Sequence, residues 1–119
     1  MVVYRFRDKK PRIGERTFVS DSAEVIGDVT IGKQCYIGPG AKIRGDYGSI
    51  TIGDKTAIEE NGVLHARPNG ACKVGNMVTV GHGSILHNCT IKDYAVISMG
   101  SIVSDYAIVG VWSVIVKEL

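Results

Sequence analysis

The chain has 119 residues, 14 Lys plus Arg against 12 Asp plus Glu, a formal charge of +2, and 45% hydrophobic residues. That is the length of one domain, 1–119, with no run near the roughly 18 apolar residues that span a bilayer, so no membrane partner is expected. A near-balanced charge without interleaved aromatics also argues against nucleic acid; Arg5, Arg7, Lys9, Lys10 and Arg12 cluster early but read as a solvated face.

Residues 1–13 are charged within a few positions of the start, so they read as a strand or cap and not as a signal peptide. From about 14 to 116 the sequence reads as coils. An aliphatic residue recurs every six positions at Val19, Val25, Ile31, Ile37 and Ile43. A nine-residue step leads to Ile52, Ile58 and Leu64, and a ten-residue step to Val74, Val80 and Leu86. The series continues at Ile91, Ile97, Val103, Ile108 and Val114, with five-residue steps into Ile91 and Ile108. Four residues after many of these stands a small or short one: Ala23, Val29, Cys35, Ala41, Val78, Ser84, Ala95 and Ser101. The two long steps are expected to protrude as loops at residues 45–49 and 66–73.

With 15 Val and 14 Ile against 3 Leu, the composition favours strands, because β-branched side chains suit a pleated surface. A six-residue period marks a solenoid in which three hexapeptides close one triangular coil and the aliphatic residues stack inward in columns. A sandwich would alternate over longer runs with turns every 8–12 residues. The expected fold is therefore all-β, a single-stranded parallel β-helix of hexapeptide repeats. Its 3 Cys (Cys35, Cys72 and Cys89) are widely spaced and lack a C-x-x-C pair, which points to a reducing cytoplasm and not to a disulfide framework.

The 3 histidines are His65, His82 and His87. Counting three repeats per coil, His65 and His87 each follow an inward residue one full turn apart. They share a column on adjacent coils, about 4.8 Å apart at the backbone, and two imidazoles so placed can share one metal ion. His82 follows Val80 by two and falls at a different corner. A neighbouring chain could bring it to the same ion, and a cyclic trimer would repeat that contact and close. The same columns put Arg44 below His65 and Glu60 below His82, with Asp46 and Glu59 beside them.

The segments IRGDYGSITIGD, IEENGVLH and VTVGHGSILHNCTI, with EVIGDVTIG upstream, cover most of the chain. Their ordered set resembles the γ-class carbonic anhydrase family, including relatives named carnitine-operon, phenylacetate-pathway or ferripyochelin-binding proteins. The resemblance implies a left-handed β-helix and a homotrimer with metal sites between subunits. It implies Zn2+, or alternatively Fe2+ or Co2+, on His65 and His87 of one subunit and His82 of the next. It further implies hydration of CO2 to bicarbonate by a metal-bound hydroxide, with Arg44 and Asp46 as an intersubunit pair orienting the pocket. Three histidines leave a fourth position open for water, whose pKa falls toward about 7.

Several positions depart from the family. Glu59-Glu60 stands where Gln-Asp is common, so a carboxylate beside the metal acts as a base or raises the pKa of the bound water. Ala57 replaces a frequent Asn. Residues 66–71 hold no acid that could serve as a proton shuttle, which leaves Glu59, Glu60 or buffer. Late polar residues of active relatives have no counterpart, and little or no C-terminal helix is expected after VWSVIVKEL, where Val114, Val116 and Leu119 lie near an open end. Two alternatives stay open. One is an acyl- or acetyltransferase using coenzyme A with one His as general base; the other is a noncatalytic metal-binding scaffold.

Overall fold

The computed structural model describes residues 2–116; Leu119 lies outside them. The chain runs through β1 (Val2–Tyr4), β2 (Arg12–Ile13), β3 (Phe18–Val19), β4 (Glu24–Ile31), β5 (Tyr36–Ile37), β6 (Lys42–Ile52), β7 (Ala57–Ile58) and β8 (Val63–His65). It continues through β9 (Ala71–Val74), β10 (Thr79–Val80), β11 (Ile85–His87), β12 (Thr90–Ile91), β13 (Val96–Ile97), β14 (Ile102–Val103), β15 (Ile108–Val109) and β16 (Val114–Ile115). No helix occurs among the described residues, and hence none long and apolar enough to cross a membrane.

Every strand pairing is parallel, and the coils stack into a solenoid of about 5 turns, consistent with the left-handed β-helix that the family resemblance implies. One face is a six-stranded sheet, β3, β5, β7, β10, β13 and β16 in chain order. The other two faces belong to one ten-stranded sheet, because β4 and β6 run unbroken around a corner. Beyond them, β8, β11 and β14 stack on one face and β9, β12 and β15 on the other.

The repeat residues from Val19 to Val103 fill the core, and Ile37, Ile43, Ile58, Leu64, Val80, Leu86 and Ile97 are fully buried. The short residues at the corners, from Ala23 to Ser101, are buried too, since an inward corner has no room for a longer side chain. The five-residue step into Ile91 is correct, but the one into Ile108 is not. Ile108 and Val114 point outward, 68% and 58% exposed, while Val109 is 5% exposed and Ile115 packs against the core. A one-residue slip turns a strand's whole inward set to the other face; here the inward spacing from Val103 returns to six.

The two loops are also smaller than expected. Residues 45–49 belong to the continuous strand β6, bent where its register with β4 shifts between Gly27 and Val29. Gly45 lies flat on the backbone of Asp28, where a Cβ would come within 2.4 Å of a carbonyl oxygen. In the second region Ala66 is buried and residues 71–74 form β9, so the excursion shrinks to residues 67–70.

One corner column explains the Gly that follows so many inward residues. Asp54, Asn76 and Asp93 each accept a hydrogen bond from a backbone N–H one coil below: Lys33 at 3.0 Å, Asp54 at 2.7 Å and Asn76 at 2.8 Å. A Cβ on Gly32, Gly53 or Gly75 would stand 2.3, 2.4 or 2.3 Å from those same side-chain oxygens. The residues that follow, Lys55, Met77 and Tyr94, take positive φ of 54, 53 and 64° and close the turn.

Gly53→Ala is expected to cost roughly 3 kcal/mol or more, the upper range for overpacking, because the Gly75 backbone at 2.7 Å cannot move aside. Gly83→Ala meets no atom within 4 Å but holds φ +67°, so only the left-handed penalty of roughly 1 kcal/mol applies. Urea denaturation of both variants measures the order; equal losses would contradict the ladder.

Candidate metal centre

His65 ends β8 and His87 ends β11, and the two are register partners on adjacent coils. Because Leu64 and Leu86 beside them are fully buried, alternation turns both imidazoles outward onto one face. Ile43 of β6 pairs with Leu64, so Arg44 follows at the same level one coil below His65. Asp46 sits two residues on and joins them: its Oδ2 accepts from Arg44 Nη2 at 2.8 Å and Nε at 3.2 Å, and its Oδ1 lies 3.1 Å from His65 Nε2.

The ring nitrogens fit a shared cation. His65 Nδ1 and His87 Nε2 face each other at 3.2 Å. Two nitrogens bound at about 2.0–2.1 Å to one tetrahedral ion stand roughly 3.3 Å apart. The outer nitrogens are both committed, His65 Nε2 to Asp46 and His87 Nδ1 to Asp105 Oδ1 at 2.6 Å. An ionised carboxylate only accepts, so the protons of two neutral rings go to the outer nitrogens. That tautomer assignment leaves two lone pairs aimed at one another, an arrangement that calls for a proton or a metal ion between them. A carboxylate behind a ligating histidine is also the usual support of a metal site.

Electrostatics keep this pair ready to bind. Burial lowers the pKa of His65 below the ordinary imidazole value, the charge of Arg44 adds to that, and the charge and hydrogen bond of Asp46 oppose it without reversing it. For Asp46, burial alone would raise the pKa, but the hydrogen bond and charge of Arg44 hold it below the usual range.

His82, Glu59 and Glu60 form a second group. Their ligand atoms lie within 4.8 Å of one another, and His82 Nδ1 is 2.6 Å from Glu60 Oε1. The Glu60 carboxyl is held below its ordinary pKa by a backbone hydrogen bond and then by His82. Thus the chain brings together His65, His87, Arg44 and Asp46 on one face, and His82, Glu59 and Glu60 at the turns after β7 and β10. Each of the three histidines has one nitrogen on a carboxylate, and among the described residues His82 Nε2 has no hydrogen-bond partner.

Three neighbours escaped the sequence reading. Asp105 contacts His87, and Arg67 forms an ion pair with Asp105. Tyr47, 63% exposed, sets its ring 5.2 Å from that of His65. The signal for Asp105 was available, since Val103 pairs with Leu86 and counting one coil above His87 reaches Ser104 and Asp105. Asn88 anchors the region: its Oδ1 accepts the Arg67 N–H at 3.0 Å in the space left by Gly70, where a Cβ would come within 2.2 Å.

Residues 10–45 match the family model for the bacterial transferase hexapeptide (six repeats). A carbonic anhydrase of Geobacillus kaustophilus is 38% identical over 109 residues, 92% of this chain and 60% of its own length. The mitochondrial γ carbonic anhydrase 2 of Arabidopsis thaliana is 42% identical over 86% of this chain and 39% of its own. The chain therefore spans between two fifths and three fifths of these curated relatives. Among solved structures, a Bacillus cereus protein named as a candidate acetyltransferase superposes with a TM-score of 0.86 at 34% identity, covering 96% of this chain and 73% of that one.

In metal-free protein, Arg44→Ala should raise the pKa of His65, since it removes a repelling charge and leaves Asp46 unneutralised. A His whose folded pKa is depressed contributes stability above its unfolded value near 6.5, lost as the pH falls. The variant should therefore lose less stability on acidification. An NMR titration of His65 that moved to lower pH would contradict this.

Proposed function

Because the chain belongs to the γ-class carbonic anhydrase-like family of hexapeptide-repeat proteins, we propose that it binds one divalent metal ion per chain between subunits of a homotrimer and hydrates CO2 reversibly to bicarbonate. The observation that carries the reading is the pair of imidazole nitrogens 3.2 Å apart, each ring backed by a carboxylate. His65 Nδ1 and His87 Nε2 supply two ligands, and His82 Nε2 of a neighbouring copy supplies the third. Zn2+ suits nitrogen donors of this kind, with Fe2+ or Co2+ as alternatives. When bound, such an ion acts as a Lewis acid that brings the pKa of a coordinated water toward about 7.

The remaining steps fall to the chain's own residues. In this reading Arg44 pairs with Asp46 of its own chain, at 2.8 Å, where the resemblance implied a pair between subunits, and Asp46 so held fixes the tautomer and direction of His65. Glu60 does the same for His82. Glu59, Glu60 or buffer takes up the proton released at each turnover in this reading, since residues 66–71 offer no acid. The site is a cytoplasmic one in this reading, with CO2 and bicarbonate as its small-molecule partners.

The likeness to a candidate acetyltransferase favours a second reading, coenzyme A-dependent acyl transfer with one His as general base. That chemistry has no use for two imidazoles with their lone pairs opposed.

Elemental analysis of protein purified without chelators should give about one ion per chain, and His82→Ala should bring it near zero with the coil intact. Carbon dioxide hydration, assayed with zinc and with anaerobically loaded iron, should follow metal content. Metal retained by His82→Ala would refute the intersubunit site. Metal-independent binding of coenzyme A would favour the second reading.

A further inference from the structure

Resting on the metal centre just proposed, we propose that Asp105 is a positioning residue for His87, and that Arg67 pins Asp105 in turn. The wiring on the His87 side repeats that on the His65 side. In Asp46, Oδ2 takes both Nε and Nη2 of Arg44 while Oδ1 meets the imidazole. In Asp105, Oδ2 likewise takes Nε and Nη2 of Arg67 while Oδ1 meets His87. The parts come from different places. Arg44 and Asp46 are two residues apart on β6, whereas Arg67 and Asp105 are 38 apart and bracket His87 from the coil below and the coil above.

The bracket has work to do because, within one chain, packing holds His87 less than His65. Its side chain is 34% exposed, against 14% for His65. An imidazole so exposed exchanges tautomers and rotates unless a fixed acceptor selects one N–H. Asp105 selects Nδ1–H, which turns the Nε2 lone pair toward His65 Nδ1. Asp105 is itself 20% exposed, and the two donors of Arg67 keep its carboxylate from turning to water.

The backbone does not depend on this side chain. The turn carrying Asp105 closes through Tyr106 N–H to Asn88 C=O at 2.8 Å and Ala107 N–H to Ser104 C=O at 3.1 Å. Removing the carboxylate therefore separates positioning from folding.

Two readouts test the role. In metal-free protein, 15N NMR of His87 should show the Nδ1–H tautomer, and Asp105→Ala should convert it to a mixture. With zinc as probe, competition against a chromophoric chelator should show Asp105→Ala binding roughly 10–100-fold more weakly, the usual cost of losing an outer-shell partner. Arg67→Ala should lose less, and Asp105→Asn should not rescue, because its single oxygen goes to the Arg67 donors and its NH2, turned to His87 Nδ1, selects the Nε2–H tautomer. The melting temperature of the metal-free variants should stay at the wild-type value. An unchanged tautomer with wild-type zinc affinity would overturn the role, as would a fall in melting temperature that parallels the loss of affinity. If the wild-type chain bound no zinc, the metal centre would fail, while the tautomer measurement would still decide what Asp105 does.

Discussion

Parallel, in-register stacking sets each residue about 4.8 Å from its counterpart one coil away, and everything else in the molecule follows from that spacing. Like sits on like. A column of aliphatic residues becomes the core, and a column of Asp and Asn at Asp54, Asn76 and Asp93 becomes a ladder of side-chain caps. The glycines beneath that ladder leave the room its oxygens occupy. The same spacing sets His65 against His87. A chain that tolerates this stacking everywhere needs no special loop to build a two-histidine cluster; it needs only the same residue type at one repeat position twice.

Stacking alone brings the rings near each other, and electrostatics decides what they do. Two neutral imidazoles at this distance would ordinarily share one N–H···N bond. Asp46 and Asp105 oppose that by drawing both protons outward, so the inner nitrogens are acceptors without a donor. Arg44 and Arg67 hold those carboxylates in place and offset part of their charge. With that tautomer the cluster turns two acceptors toward the same space. His82 completes the proposed set only from another copy, because it sits at a turn tied to Glu60 and away from the His65–His87 face.

Much of this was legible in the sequence, and the failures have physical causes. The period of six located the inward residues from Val19 to Val103, because a buried position in a narrow prism admits little besides Val, Ile or Leu. It slipped at Ile108-Val109, where two adjacent residues of equal hydrophobicity leave the pattern undecided and only packing distinguishes them. Residues 45–49 looked like a loop by length, yet Gly45 lets β6 lie against the Asp28 backbone and carry on as strand. The columns placed Arg44 and Asp46 beside His65, and Glu60 beside His82. They missed Asp105 because it lies one residue past the column, at a turn where side chains reach sideways between coils.

The most direct test of an intersubunit centre is metal recovery in mixed assemblies. His82→Ala chains retain the His65–His87 pair, and His65→Ala chains retain His82; each alone lacks a complete set. Unfolded together at equal amounts and refolded, a random cyclic trimer rebuilds a full set wherever the two kinds meet in the correct order, at about a quarter of its interfaces. The account predicts near-zero metal in each variant alone and about a quarter of the wild-type metal in the mixture. Metal in the mixture no higher than the average of the two variants would contradict it.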